Sequence, residues 1–175
     1  METPFVIFDR DGTLIEHVHH LKNAKDVKFK PDLISALMKL QKIGFLFGMV
    51  TNQSVIGRGI ATPSQVNEIN SKIAEFLLNN GVPLQFSYTC PHLPDDSCSC
   101  RKPKIDLGLR AIHEYGVSPD SSFVIGDQES DIIFGNNLGC RTIQIKGKAE
   151  RSLLSNYYAE TLDLAADWIK NEAYL

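Results

Sequence analysis

Short runs of apolar, β-branched and aromatic residues alternate with segments of helical spacing along most of this 175-residue chain. Strands are predicted near 4–8 (PFVIF), 45–50 (FLFGMV), 85–89 (QFSYT), 122–126 (SFVIG) and 141–145 (RTIQI). Helices are predicted near 31–43, 63–80, 105–115, 130–138 and 160–171. Repeated strand–helix–strand units of this kind build an open, mainly parallel sheet sandwiched by helices, a Rossmann-like α/β arrangement. The helix at 63–80 carries the clearest local signals. Thr62 is a candidate N-cap, Pro63 suits the first turn and Gln65 completes a capping box. Val66, Ile69, Ile73, Phe76 and Leu77 then form a core stripe, and Gly81 ends the helix. Leu33, Leu37 and Leu40 make a similar stripe on the first helix, with Gly44 near its end.

The composition, 43% hydrophobic and 22% charged with a formal net charge of -3, is that of an ordinary soluble domain. It offers no general attraction for nucleic acid or an anionic membrane surface. No apolar run reaches the roughly 18 residues that span a bilayer, and METPFVIFDRDG lacks the basic start of a signal peptide. The expectation is one cytoplasmic domain over 1–175, monomeric, acting on a small molecule and without a nucleic-acid or membrane partner.

Polar, turn-rich stretches at 9–30, 51–62 and 90–104 each follow a predicted strand. Ligands of open parallel sheets bind beyond the carboxyl ends of the strands, so the chemistry is expected in these loops and after strand 122–126. The first strand delivers Asp9-Arg10-Asp11-Gly12-Thr13. Carboxylates two residues apart in extended chain share a face, and two of them repel unless a cation or a proton intervenes. A magnesium ion could serve one of them while the other exchanges a proton with an alcohol. An Asx-turn or a cap is the alternative for this segment alone. Later loops add Asp127 and Asp131, the donors Thr51, Asn52, Gln53 and Ser54, and the cations Arg101 and Lys102. Short hydroxyls and amides suit phosphate oxygens, and a lysine can stabilise a phosphoryl group in transit. Asp127 is placed to complete a metal site with Asp9, and Asp131 could orient a cation.

DxDGT, TN, K and GDxxxD, in this order and each after a strand, resemble the haloacid dehalogenase-like superfamily of aspartate-nucleophile phosphatases over residues 5–145. The resemblance implies that Asp9 attacks phosphorus, that Asp11 protonates the leaving group and then activates water, and that Thr51 and Lys102 bind phosphoryl oxygens. It also implies magnesium held by Asp9, Asp127 and the backbone carbonyl of Asp11. With no large insertion after residue 14 or within 51–85, a capless, open site is expected.

Cys90, His92, Cys98 and Cys100 form a C-x-H-x5-C-x-C pattern, which suits a closed tetrahedral zinc site over 90–100. A loop of Pro, Asp and Ser has little apolar surface of its own to pack, so the metal's expected task is structural. A disulfide or free thiols are the alternatives. The loop runs directly into Arg101 and Lys102. A zinc loop followed by CRKP is similar to the branch that contains the D-glycero-D-manno-heptose 1,7-bisphosphate 7-phosphatases and the histidinol-phosphate phosphatases. TNQSVIGRG and Ala166-Asp167-Trp168 look like the former; CPHLPDDSCSCRKPK looks like the latter. Gln128 and Ile105-Asp106-Leu107 depart from both patterns or from the heptose one. The heptose 7-phosphate is the leading substrate, histidinol phosphate the alternative, and an inactive zinc-stabilised binding module the rival from another class. Arg58, flanked by glycines, could meet a second phosphate or a polyol, or could stand solvated in its loop. The sequence leaves His17, His19, His20 and Cys140 without a settled role.

Overall fold

The computed structural model describes residues 3–173. The strands are β1 (Phe5–Phe8), β2 (Leu46–Asn52), β3 (Leu84–Cys90), β4 (Phe123–Gly126), β5 (Arg141–Ile145) and β6 (Tyr157–Ala159). They form one sheet in the order β3-β2-β1-β4-β5-β6, and every pairing is parallel. The helices are α1 (Leu33–Lys42), α2 (Ser54–Gly57), α3 (Pro63–Asn79), α4 (Asp106–Tyr115), α5 (Glu129–Leu138) and α6 (Leu162–Ala173).

β1 lies inside the sheet and is buried on both faces, as its unbroken apolar sequence requires. Val6 and Phe8 enter one core with Leu37 of α1, Ile73 of α3 and Ile169 of α6. Phe5 and Ile7 enter the other, with Ala111 of α4 and Phe134 of α5. The sequence-derived stripes on α1 and α3 are buried as expected, with Phe76 partly buried and stacked on Phe29 at 3.8 Å. The Thr62 capping box is present: Gln65 N–H donates to Thr62 Oγ1 at 3.2 Å, and Thr62 N–H donates to Gln65 Oε1 at 2.9 Å.

Two elements depart from the sequence reading. β6 is a sixth strand, too short to leave an alternating signature, and it pairs in register with β5 from Ile143 to Ile145. α2 is a single turn inside the predicted loop 51–62. β2 also runs two residues further than predicted, so Thr51 and Asn52 still belong to the strand. Trp168 stacks on Tyr157 at 5.1 Å and meets Phe123 edge-on, which makes it a packing residue under the sheet's edge. No helix among the described residues is long and apolar enough to cross a membrane.

Candidate active site

β1 and β4 are neighbours, and Asp9 N–H donates to the Ile125 carbonyl at 2.9 Å, so the residues following both strands open at the same end of the sheet. Asp9 and Asp127 meet there. Asp131, in the first turn of α5, joins them: one carboxylate oxygen from each of the three lies within 4.8 Å of the others. Gly126 makes this possible, because a Cβ there would stand 2.2 Å from the Asp131 carboxylate. Gly12 does the same for Asp127. It adopts φ +81, and a Cβ would lie 2.6 Å from Asp127 Oδ2.

Three buried carboxylates repel one another, and Lys102 answers two of them. Its ammonium donates to Asp9 Oδ1 and Asp131 Oδ1, each at 2.7 Å, and to the Val50 carbonyl at 2.6 Å. Burial pushes the Asp9 carboxyl up to about 7 against the pull of Lys102, and Asp131 and Asp11 push in the same direction. Burial also works against the Lys102 charge, but Asp131 and Asp9 outweigh it and hold the ammonium above the ordinary lysine range. Asp127 is left without such a partner. Its Oδ2 accepts from Gln128 Nε2 at 2.7 Å, whereas its Oδ1 is buried with no hydrogen-bond partner. Burial and the Asp9 charge raise its pKa. A buried, unpaired carboxylate oxygen is costly, and a hard divalent cation is the group this oxygen set fits.

Asp11 lies beside this cluster and turns another way. Arg10 Nε donates to Asp11 Oδ2 at 3.0 Å and Arg10 Nη2 to Oδ1 at 3.3 Å, while Gln53 Nε2 donates to Oδ2 at 2.8 Å. Gln53 Nε2 also donates to Thr51 Oγ1 at 2.8 Å. Asn52 clamps the backbone of Lys102 in both directions at 3.0 Å, accepting its N–H and donating to its carbonyl. Arg101 Nη1 bridges Ser54 Oγ at 2.9 Å and the His92 carbonyl at 3.1 Å. All of these except Thr51 and His92 line one cavity of about 430 Å³, whose wall also includes His17, His19, His20 and Arg58. The His19 and His20 rings are 3.7 Å apart. Cys140 is elsewhere, buried in the core under α4 and α5. Arg10, to which the sequence reading gave no role, is fully buried.

Cys90, His92, Cys98 and Cys100 converge as a second cluster, with one ligating atom of each within 4.8 Å of the rest. Cys100 Sγ stands 3.1 Å from Cys90 Sγ and 3.3 Å from His92 Nδ1, and Cys90 Sγ stands 3.9 Å from Cys98 Sγ. All four cysteines of the chain are free, so the disulfide alternative is not what the structure has. Zinc–sulfur bonds of about 2.3 Å put tetrahedral sulfurs roughly 3.8 Å apart; the Cys90–Cys98 pair matches this, and the Cys100–Cys90 pair is closer. The loop is docked on the segment that follows β2. Gln53 N–H donates to the Cys90 carbonyl at 2.7 Å, Gly57 N–H donates to the Pro91 carbonyl at 3.0 Å, and Lys104 Nζ donates to the Cys98 carbonyl.

The family model described as HAD-hyrolase-like matches residues 99–170. A probable D-glycero-D-manno-heptose-1,7-bisphosphate 7-phosphatase of Thermoplasma volcanium is 41% identical over 128 residues, 73% of this chain and 86% of that protein. The histidine biosynthesis bifunctional protein HisB of Campylobacter jejuni subsp. doylei is 35% identical over 168 residues. That match covers 90% of this chain but only 47% of the larger protein. In structure, the D,D-heptose 1,7-bisphosphate phosphatase of B. bronchiseptica, solved with magnesium and phosphate, superposes with a TM-score of 0.86 over 98% of this chain and all of that one. At 24% identity that likeness speaks for the fold. The parallel sheet, the strand-end carboxylates and a relative matched over most of its length agree: the chain belongs to the haloacid dehalogenase-like hydrolases, and it is a phosphatase.

Proposed function

We propose that this phosphatase hydrolyses phosphate monoesters through an aspartyl-phosphate on Asp9, with D-glycero-D-manno-heptose 1,7-bisphosphate, cleaved at the 7-phosphate, as its substrate. The observation that carries the mechanism is the Asp9–Lys102–Asp131 contact beside the unpartnered Asp127 Oδ1. An Asp9 carboxylate oxygen forms a bond to phosphorus as the bond to the ester oxygen breaks, and the proton of Asp11 passes to that oxygen. Asp11 then takes a proton from water, whose oxygen attacks phosphorus, releasing phosphate and restoring Asp9. Lys102 and Thr51 stabilise the charge on the transferring group, and Asp131 keeps the Lys102 ammonium aimed at it. Asn52 holds the backbone of Lys102 in place, while Gln53, Ser54 and Arg101 border the substrate.

Asp9, Asp127 and the Asp11 carbonyl would hold magnesium, which neutralises phosphoryl charge when bound. Cys90, His92, Cys98 and Cys100 would hold zinc, which fixes the loop that carries Arg101 and Lys102.

The choice of substrate rests on the named relative and on charge. Arg58 and Arg101 stand on the wall of the cavity with three histidines, whereas the carboxylates that line it belong to the catalytic cluster and Asp11. A cationic rim rewards a second phosphate and repels the ammonium of histidinol phosphate. Histidinol phosphate remains the second reading because the HisB relative matches along 90% of this chain. Phosphate release measured with magnesium at equal concentrations of the two esters separates them: faster turnover of histidinol phosphate reverses the order. Asp9→Asn is expected to lower turnover by about 10⁴-fold or more. No turnover of any ester by the wild-type chain would leave only the binding module.

A further inference from the structure

Arg10 is the bulkiest of the fully buried side chains. A guanidinium taken out of water is costly unless its fork of donors is used, and here every arm is. Nε and Nη2 straddle the Asp11 carboxylate, Nη2 also donates to Gln53 Oε1 at 2.8 Å, and Nη1 donates to Asn70 Oδ1 at 3.1 Å. Asn70 lies on α3 and is anchored in turn on β3, donating to Thr89 Oγ1 at 3.0 Å. Gln53 closes the ring by donating to both Asp11 and Thr51. The Asp11 side chain is 23% exposed, so one edge is gripped while the carboxyl group still reaches the cavity.

We propose that Arg10, braced by Asn70 and Gln53, is the positioning residue of Asp11: its planar fork fixes the direction from which Asp11 exchanges a proton with the leaving-group oxygen. This rests on the reading of Asp11 as the acid. A lysine cannot reproduce the two parallel contacts, because its ammonium is a point charge without a plane. Arg10 borders the cavity, but its fork is taken up by Asp11, Gln53 and Asn70. Its effect passes through the aim of another carboxyl, and a displacement of about 1 Å at a proton-transfer group can cost about 10²-fold in rate.

The experiment compares kcat/KM for p-nitrophenyl phosphate, whose leaving group departs without a proton, with kcat/KM for phenyl phosphate and a simple alkyl phosphate, which need one. This parameter covers steps only up to departure of the leaving group, so it isolates the acid from the later water activation. Asn70→Ala keeps the Arg10–Asp11 pair and is the variant least exposed to misfolding. It is expected to lower kcat/KM for the alkyl ester by about 10–100-fold and that for p-nitrophenyl phosphate by less than about 3-fold. Arg10→Lys, which keeps the charge and loses the fork, is expected to show at least the same selective loss. An equal fall on all three esters, or no fall in either variant, overturns the proposal. Asp11→Asn sets the benchmark, with an alkyl-selective loss of about 10²–10⁴-fold. If that benchmark shows no selectivity, the acid reading fails and the proposal with it. If only the Asn70 and Arg10 variants lack it, the proposal alone fails.

Discussion

Two clusters of ligand-type side chains lie beyond the carboxyl ends of this sheet's strands, and they are built on opposite principles. The carboxylates Asp9, Asp127 and Asp131 sit on the ends of β1 and β4 and on the first turn of α5, where backbone pairing fixes them. Their mutual repulsion is met by a buried lysine, and two glycines make room for them. In the cysteine and histidine cluster, only Cys90 belongs to a strand; the other three ligands hang on the loop that follows. That loop contributes only partly buried side chains to the second core, and apart from a few anchors it converges on itself. The first site is made by the fold and lends a cation to chemistry. The second is a ligand-rich loop that would take its rigidity from the proposed zinc, and it leads directly into Arg101 and Lys102.

Lys102→Met tests the first half of this contrast and carries the largest effect expected on stability. It leaves two buried carboxylates unpaired, so unfolding in urea should show a loss of about 3–5 kcal/mol. Phosphate release should fall by on the order of 10²–10³-fold. An unchanged urea midpoint would mean that the sheet, and not the lysine, holds the carboxylates together. Gly126→Ala should cost about 1–3 kcal/mol through the clash with Asp131, with turnover falling as that carboxylate moves off Lys102. Wild-type activity in this variant would show that Asp131 has room to give. Cys98→Ser is expected to reduce zinc from about one ion per chain to none, with kcat/KM down roughly tenfold and the urea midpoint moved less than in the other two. Protease cleavage should then appear between Cys90 and Arg101. A collapse of the whole fold on losing zinc would erase the distinction between the regions.

Much of the first site was legible because it is written at strand ends. Asp9 and Asp127 follow apolar runs, and the loop ligands stand within eleven residues of one another. Arg10 was not legible. A charged residue between two aspartates reads as solvated, and only its burial against Asn70 of α3 reveals its use. The role of Asn52 was hidden for a similar reason: its partner is a backbone fifty residues away. β6 escaped because three residues cannot display a period of two, and α2 because a single turn lies below the length at which helical spacing can be read.

The sequence by itself determined the alternation of strand and helix, the stripes that α1 and α3 bury, and the types of side chain available at each strand's end. These depend on spacing along the chain, which periodicity records. The strand order β3-β2-β1-β4-β5-β6 was decided only in three dimensions, and with it the meeting of Lys102 with Asp9, 93 residues apart, and of Arg10 with Asn70, 60 apart. The physical reason is that a crossover helix pattern specifies a buried face but not which neighbour buries it. The pairing of charges at the carboxyl ends of the strands follows from that choice.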